Sequence, residues 1–137
     1  MSLKMIAANL VSCDFEIKSG SNKSYCLKLL AYEANENQED QNGKFSYNAK
    51  LSYDLMSGIK KPLCKFRCTF ELQYTGDSEG RKLLKEHIVV AHSIPYLREF
   101  VSNLTMRTSI TALTLEPVNA IQLWDRYRTE KNAKSEK

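Results

Sequence analysis

The residues of this chain with the readiest chemistry are four cysteines and two histidines. Cys64-x3-Cys68 followed by His87-x4-His92 loosely imitates a two-cysteine, two-histidine zinc site. Geometry argues against it. Both cysteines fall in a segment of period-two alternation, and residues four apart on a strand lie about 13 Å apart. One zinc ion with Zn–S bonds of about 2.3 Å cannot hold both sulfurs. Cys13, Cys26, Cys64 and Cys68 therefore read as free thiols acting as small apolar side chains in a reducing compartment. No metal and no other cofactor is expected.

Catalytic apparatus is equally absent from the pattern. There is no glycine-rich phosphate loop, no nucleophile elbow and no HExxH helix. The carboxylates are scattered over loops and polar faces, and His87 sits on an apolar helix side. Without a nucleophile–base–orienter set, the chain is not expected to be an enzyme.

A net charge of +4 and a pI near 8.8 raise nucleic acid as a remote alternative. Aromatic strand faces can stack bases when basic residues share the same face. Here Lys44, Lys50, Lys65 and Arg67 alternate with the aromatics and so point to the opposite face, which argues against nucleic acid as a partner.

The aromatics are the remaining signal. Phe70 and Phe100 read as core. Tyr53, Phe66, Tyr74, Tyr96 and Trp124 are the candidates for lining a groove between a sheet and its helices. Such a groove would take extended apolar segments of another chain, and rings that end in a hydroxyl or N–H suit half-exposed positions. Periodicity leaves plain core and groove both open for these five.

The elements that must position them are legible in outline. Over 44–55, Phe45, Tyr47, Ala49, Leu51, Tyr53 and Leu55 alternate with polar residues. Over 64–74, Cys64, Phe66, Cys68, Phe70, Leu72 and Tyr74 do the same. The turn residues Gly58 and Pro62 lie between, so a long antiparallel hairpin is predicted. Two weaker strands precede it: one around Val11, Cys13, Phe15 and Ile17, the other over 25–32. Residues 19–23 link them, and 34–43 read as an exposed acidic loop.

After Tyr74 the period becomes helical. Asp77 or Ser78 can cap a helix through Ala91, with Leu83, Leu84, His87, Ile88 and Ala91 on its apolar side. Ser93 is predicted to cap a second helix with Pro95 in its first turn, and Leu97, Phe100, Val101 and Leu104 form its stripe. Asn119 can cap a last helix with Ala120, Ile121, Trp124 and Tyr127 on its apolar side. The fold class is α+β: a four-stranded antiparallel sheet followed by helices packed on one face.

The 137 residues suit a single domain over 1–127, with a charged tail lacking order over 128–137. No apolar run approaches the ~20 residues of a membrane span. The first eleven residues lack the apolar core and cleavage site of a signal peptide. A cytoplasmic protein is expected.

Pro95-Tyr96-Leu97-Arg98-Glu99, Leu115-Glu116-Pro117-Val118-Asn119, and then Leu123, Trp124 and Tyr127 make up a run that resembles the SecB family of export chaperones. Pro95, Tyr96, Arg98 and Glu99 match its P-Y-x-R-E run. Ser102, Leu104 and Arg107 fall where the family has a small polar residue, an apolar one and an arginine. Leu115, Pro117, Val118 and Asn119 match L-x-P-V-N, and Leu123, Trp124 and Tyr127 follow at the family's spacing. The resemblance implies the SecB fold, a homotetramer built as a dimer of dimers, and ATP-independent binding of non-native chains such as unfolded preproteins. It also implies a partner, the motor SecA, that docks on acidic residues. In that alignment Asp14 keeps one carboxylate, whereas Lys18 and Lys65 stand at two others. Two reversals turn attraction into repulsion, and like-charge contacts can cost several kcal/mol. They argue against SecA and toward the role some SecB relatives have, protecting an antitoxin of a toxin–antitoxin pair.

Overall fold

Strict alternation builds the centre of the sheet. In the computed structural model, which describes residues 2–17, 25–37, 44–57, 64–106 and 118–135, β3 (Phe45–Ser57) and β4 (Cys64–Gly76) pair antiparallel. Their register runs without a slip from Phe45 opposite Gly76 to Ser57 opposite Cys64. Phe45, Tyr47, Ala49, Leu51, Tyr53 and Leu55 are buried, as are Phe66, Cys68, Phe70, Leu72 and Tyr74. The outer face is polar. Ser52 and Thr69 hydroxyls bond at 2.8 Å, and Glu71 accepts from Asn48 at 3.3 Å and from Gln73 at 2.9 Å.

β1 (Leu3–Ile17) and β2 (Tyr25–Asn37) flank this hairpin in the order β1-β4-β3-β2. Both are longer than the alternation indicated. β1 begins well before Val11, and residues 34–37, expected in a loop, continue β2. The reason is a set of β-bulges. The register shifts at Ile6 and Val11 in β1 and at Leu30 in β2. Each extra residue reverses the side-chain phase. Cross-strand partners accordingly put Leu3, Met5, Ala8, Leu10, Cys13 and Phe15 on the inner face of β1. On β2 they put Tyr25, Leu27, Leu29, Tyr32, Ala34 and Glu36 there. All three bulge residues are exposed.

The turn after β4 is crowded. The Asp77 N–H donates to the Ser2 carbonyl at 3.0 Å, and a Cβ at Gly76 or Gly80 would collide with that same carbonyl. Asp77 caps α1 (Ser78–Leu83) by accepting from the Gly80 N–H at 2.8 Å.

The helix boundaries correct the sequence reading. The first helix stops at Leu83, and a break at Leu84 and Lys85 precedes α2 (Glu86–Met106), which is continuous through Ser93 and Pro95. Ser93 is not a cap. Its hydroxyl is buried, donates to the Val90 carbonyl at 2.7 Å and bonds the Tyr53 hydroxyl. Pro95 is tolerated inside the helix because the carbonyl it strands belongs to Ala91, which is exposed to water. The break also changes the phase: Val89 and Val90 are buried, while Leu83 and Ala91 are exposed. The stripe of Ile94, Leu97 and Val101 continues the buried face to Thr105.

Asn119 caps α3 (Ala120–Ser135), its Oδ1 accepting from the Gln122 N–H at 3.1 Å. Leu123 rather than Ile121 is its buried residue; Ile121 is 56% exposed. The charged segment from Arg128, expected to lack order, is helical as far as Ser135. Tyr53 meets Ser93, Phe70 meets Phe100, and Tyr32 meets Trp124, so α2 and α3 both cover the inner face of the sheet. The turns expected over 58–62 and 19–23, Lys18, Arg107, Leu115 and Pro117 lie outside the described residues.

Candidate functional site

α2 lies over the two central strands, which leaves the inner face of β1 poorly covered. Leu10 is 42% exposed and Phe15 52%, although both point to the side on which the helices pack. Between β1 and α2 runs an open furrow of about 250 Å³, its walls made by Ala8 and Leu10 on one side and Tyr96 and Phe100 on the other, over Phe70. The ring of Phe100 meets Phe70 edge-on at 6.4 Å. Glu99 and Asn103 supply a polar rim. The β1 backbone is also a sheet edge, with one side of its ladder unpaired by any other described strand.

A second hollow, of about 530 Å³, opens between β2, α1 and α3. Its floor is aromatic. Tyr32 packs edge-on against Trp124 at 5.1 Å, and Trp124 lies 5.5 Å from Tyr127. The hydroxyls of Tyr32 and Tyr47 bond at 2.6 Å, and the Tyr32 N–H donates to the Tyr127 hydroxyl at 3.3 Å. Burial, reinforced by the bond to Tyr47, pushes the Tyr32 phenol above its ordinary range, so both hydroxyls stay neutral near pH 7. The rim is charged. Arg81 holds Glu36 in a two-pronged pair at 2.5 and 2.9 Å and lies 5.0 Å over the Tyr47 ring. Lys131 stands 5.9 Å over Tyr127, from the segment of α3 that the sequence left without order.

The five sequence candidates divide. Tyr53, Phe66 and Tyr74 are sealed in the core. The Tyr53 hydroxyl is satisfied by Ser93, and that of Tyr74 by His92 Nδ1 at 2.8 Å. In this conformation none of the three can touch another chain. Tyr96 and Trp124 are half-buried, one in each hollow. Of the motif residues, Pro95, Arg98, Glu99 and Asn119 are exposed, and Val118 and Tyr127 are half-buried against the core. Leu10, Tyr32 and Tyr47 also line the hollows without having been groove candidates, and Phe100, expected in the core, is half-buried in the furrow wall. For Leu10 and Tyr32 the available signal was a pair of adjacent apolar residues, Leu10-Val11 and Leu29-Leu30, at which the strand changes phase.

Among the described residues no group of three or more His, Cys, Asp or Glu gathers as a metal site would require. Cys68 lies against Cys13 and His92 against Tyr74, which leaves the cysteine and histidine pairs apart. At one end of the sheet, Asp14 faces Arg67 and Glu16 faces Lys65 across the β1–β4 ladder, and Asp54 faces Arg67 from β3. That surface alternates in sign.

No family model matches the sequence, and no curated protein does. Solved structures do match. One is the Mycobacterium tuberculosis Rv1957 SecB-like chaperone in complex with a ChAD peptide from the Rv1956 HigA1 antitoxin. It is 16% identical, with a TM-score of 0.58, over 85% of this chain and 90% of that one. This chain has a SecB-like fold. A protein of unknown function from Streptococcus agalactiae is similar to it as well, at 12% identity and a TM-score of 0.54, over 85% of this chain and 98% of the other. In the SecB-like fold of this chain, the two hollows lie on either side of α2, on the helix-bearing face of the sheet. No described helix is long and apolar enough to cross a membrane.

Proposed function

We propose that this chain is an ATP-independent holdase that binds unfolded or non-native polypeptides along the two hollows beside α2. The observation that carries the reading is that Leu10 and Phe15, on the inward face of β1, stay half in water, Leu10 in the wall of the open furrow. Apolar side chains left in water at that position favour an apolar occupant by roughly 25 cal/mol per Å² covered. Tyr96 and Phe100 would take the client's side chains, and the free edge of β1 could pair with its backbone. Trp124, Tyr32 and Tyr127 would form the second contact. Because hydrophobic burial is not directional, a client needs apolar segments and no defined sequence.

The reading includes assembly and location. A homotetramer would multiply the furrows and gain avidity for long chains, and the cytoplasm is where such clients would be met. The SecB-like neighbour was solved with an antitoxin peptide, which favours an antitoxin as a specific client. The alternating charge at Asp14, Glu16, Lys65 and Arg67 favours that route over delivery to SecA, whose docking calls for an acidic surface. A pulldown with SecA at low and physiological salt separates the two. Nucleic acid is disfavoured because Lys44, Lys50, Lys65 and Arg67 lie across the sheet from the aromatic rings.

The test is aggregation of a slow-refolding protein diluted from denaturant without ATP. Suppression by the chain at or below one tetramer per client is the expected result. Unchanged aggregation at several-fold excess would refute the holdase.

A further inference from the structure

We propose that Cys13 and Cys68 form a reversible disulfide that locks β1 to β4 when the chain meets a low-molecular-weight disulfide such as oxidised glutathione. The two residues are direct cross-strand partners in the β1–β4 ladder. Directly opposed residues of an antiparallel pair have Cα atoms about 4.5 or 5.5 Å apart, and both spacings lie within the range that disulfides span. The sulfurs are already 3.2 Å apart, so closure asks for a small side-chain movement and no backbone rearrangement. The other thiols are less well placed. Cys26 lies on β2, two strands from β4, and Cys64 stands four residues from Cys68 along the same strand, about 13 Å away.

The order of events follows from exposure. Cys13 is half-buried and Cys68 is sealed beneath it. The Cys13 thiolate attacks one sulfur of the small disulfide, releasing one small thiol and forming a mixed disulfide. The Cys68 thiolate then attacks the Cys13 sulfur and releases the second thiol. In balance, two protein thiols and one small disulfide give one protein disulfide and two small thiols. Burial raises the pKa of both thiols, so exchange is slow at neutral pH and speeds up as pH rises. The bond would close a long loop and fix the strand that walls the furrow, and it does not depend on the chaperone reading.

The reduced native chain is incubated with excess oxidised glutathione, quenched in acid, alkylated in denaturant and mapped by mass spectrometry. The expected product has lost two thiol hydrogens, about 2 Da, at Cys13 and Cys68, beside any glutathione carried by the exposed Cys26. It contains one Cys13–Cys68 cross-linked peptide and melts several degrees higher, and dithiothreitol reverses both changes. A Cys26→Ser/Cys64→Ser double variant should react in the same way, and Cys13→Ser should leave Cys68 unmodified. A stable glutathione adduct on Cys13, disulfides only between chains through Cys26, or four free thiols after equilibration would each overturn the proposal.

Discussion

Trp124 is the chain's single tryptophan and stands between Tyr32 and Tyr127 in the wider hollow. Truncating a half-buried ring at a binding centre commonly costs about 2 kcal/mol. Trp124→Ala is therefore expected to weaken an unfolded client peptide at least tenfold, read by calorimetry, and Tyr96→Ala to weaken it less. Tyr53→Phe should leave client affinity unchanged, since Tyr53 is sealed, and lower folding stability by about 1 kcal/mol through loss of the Ser93 bond. His92 adds a pH signature. Burial beside Tyr74 lowers its pKa from the ordinary 6.5. As pH falls below about 6.5 the unfolded chain takes up a proton that the folded chain refuses. Stability must therefore fall with acidification from that point down to the lowered folded value. Urea midpoints between pH 7.5 and 5 should show this slope in the parent and a reduced one in His92→Gln.

At the scale of elements, legibility followed regularity of register. The β3–β4 hairpin was read residue by residue because no position breaks its alternation and its register never slips. β1 and β2 were read only in part because bulges at Ile6, Val11 and Leu30 reverse their phase, and a fixed period cannot see a reversal. The same cause hid Leu10 and Tyr32 from the candidate site. For Tyr53, Phe66 and Tyr74, alternation leaves core and groove both open, because it identifies a face without saying which part of it the helices cover. Pro95 looked like a helix start because proline is favoured there, yet α2 accepts it in mid-course. Deleting Leu30 should remove the bulge and leave Tyr32, Ala34 and Glu36 on the inner face, because Leu29 and Ala31 already stand opposite the adjacent Tyr53 and Ser52. The Tyr47, Trp124 and Arg81 contacts should survive, and urea unfolding should show a stability change below about 1 kcal/mol. Pro95→Ala should restore the missing helix bond and raise the melting temperature, with client affinity unchanged.

The whole molecule combines a well-filled centre with two unfilled flanks. Among the described residues, twenty buried apolar side chains form one core between the sheet and its helices, whereas Leu10 and Phe15 on the same face of the sheet stay half in water. Large exposed apolar residues on a packing face mark an interaction surface, and here they adjoin an open sheet edge. The furrows give the proposed holdase its physical basis. Trp124 also supplies a direct probe. A titration of the chain with a permanently unfolded, tryptophan-free polypeptide, followed by Trp124 fluorescence without nucleotide, tests that basis most directly. A saturable blue shift is expected as client side chains displace water, abolished by excess apolar peptide and unaffected by ATP. An emission spectrum that stays fixed through saturating client, together with no retained polypeptide on gel filtration, would contradict it.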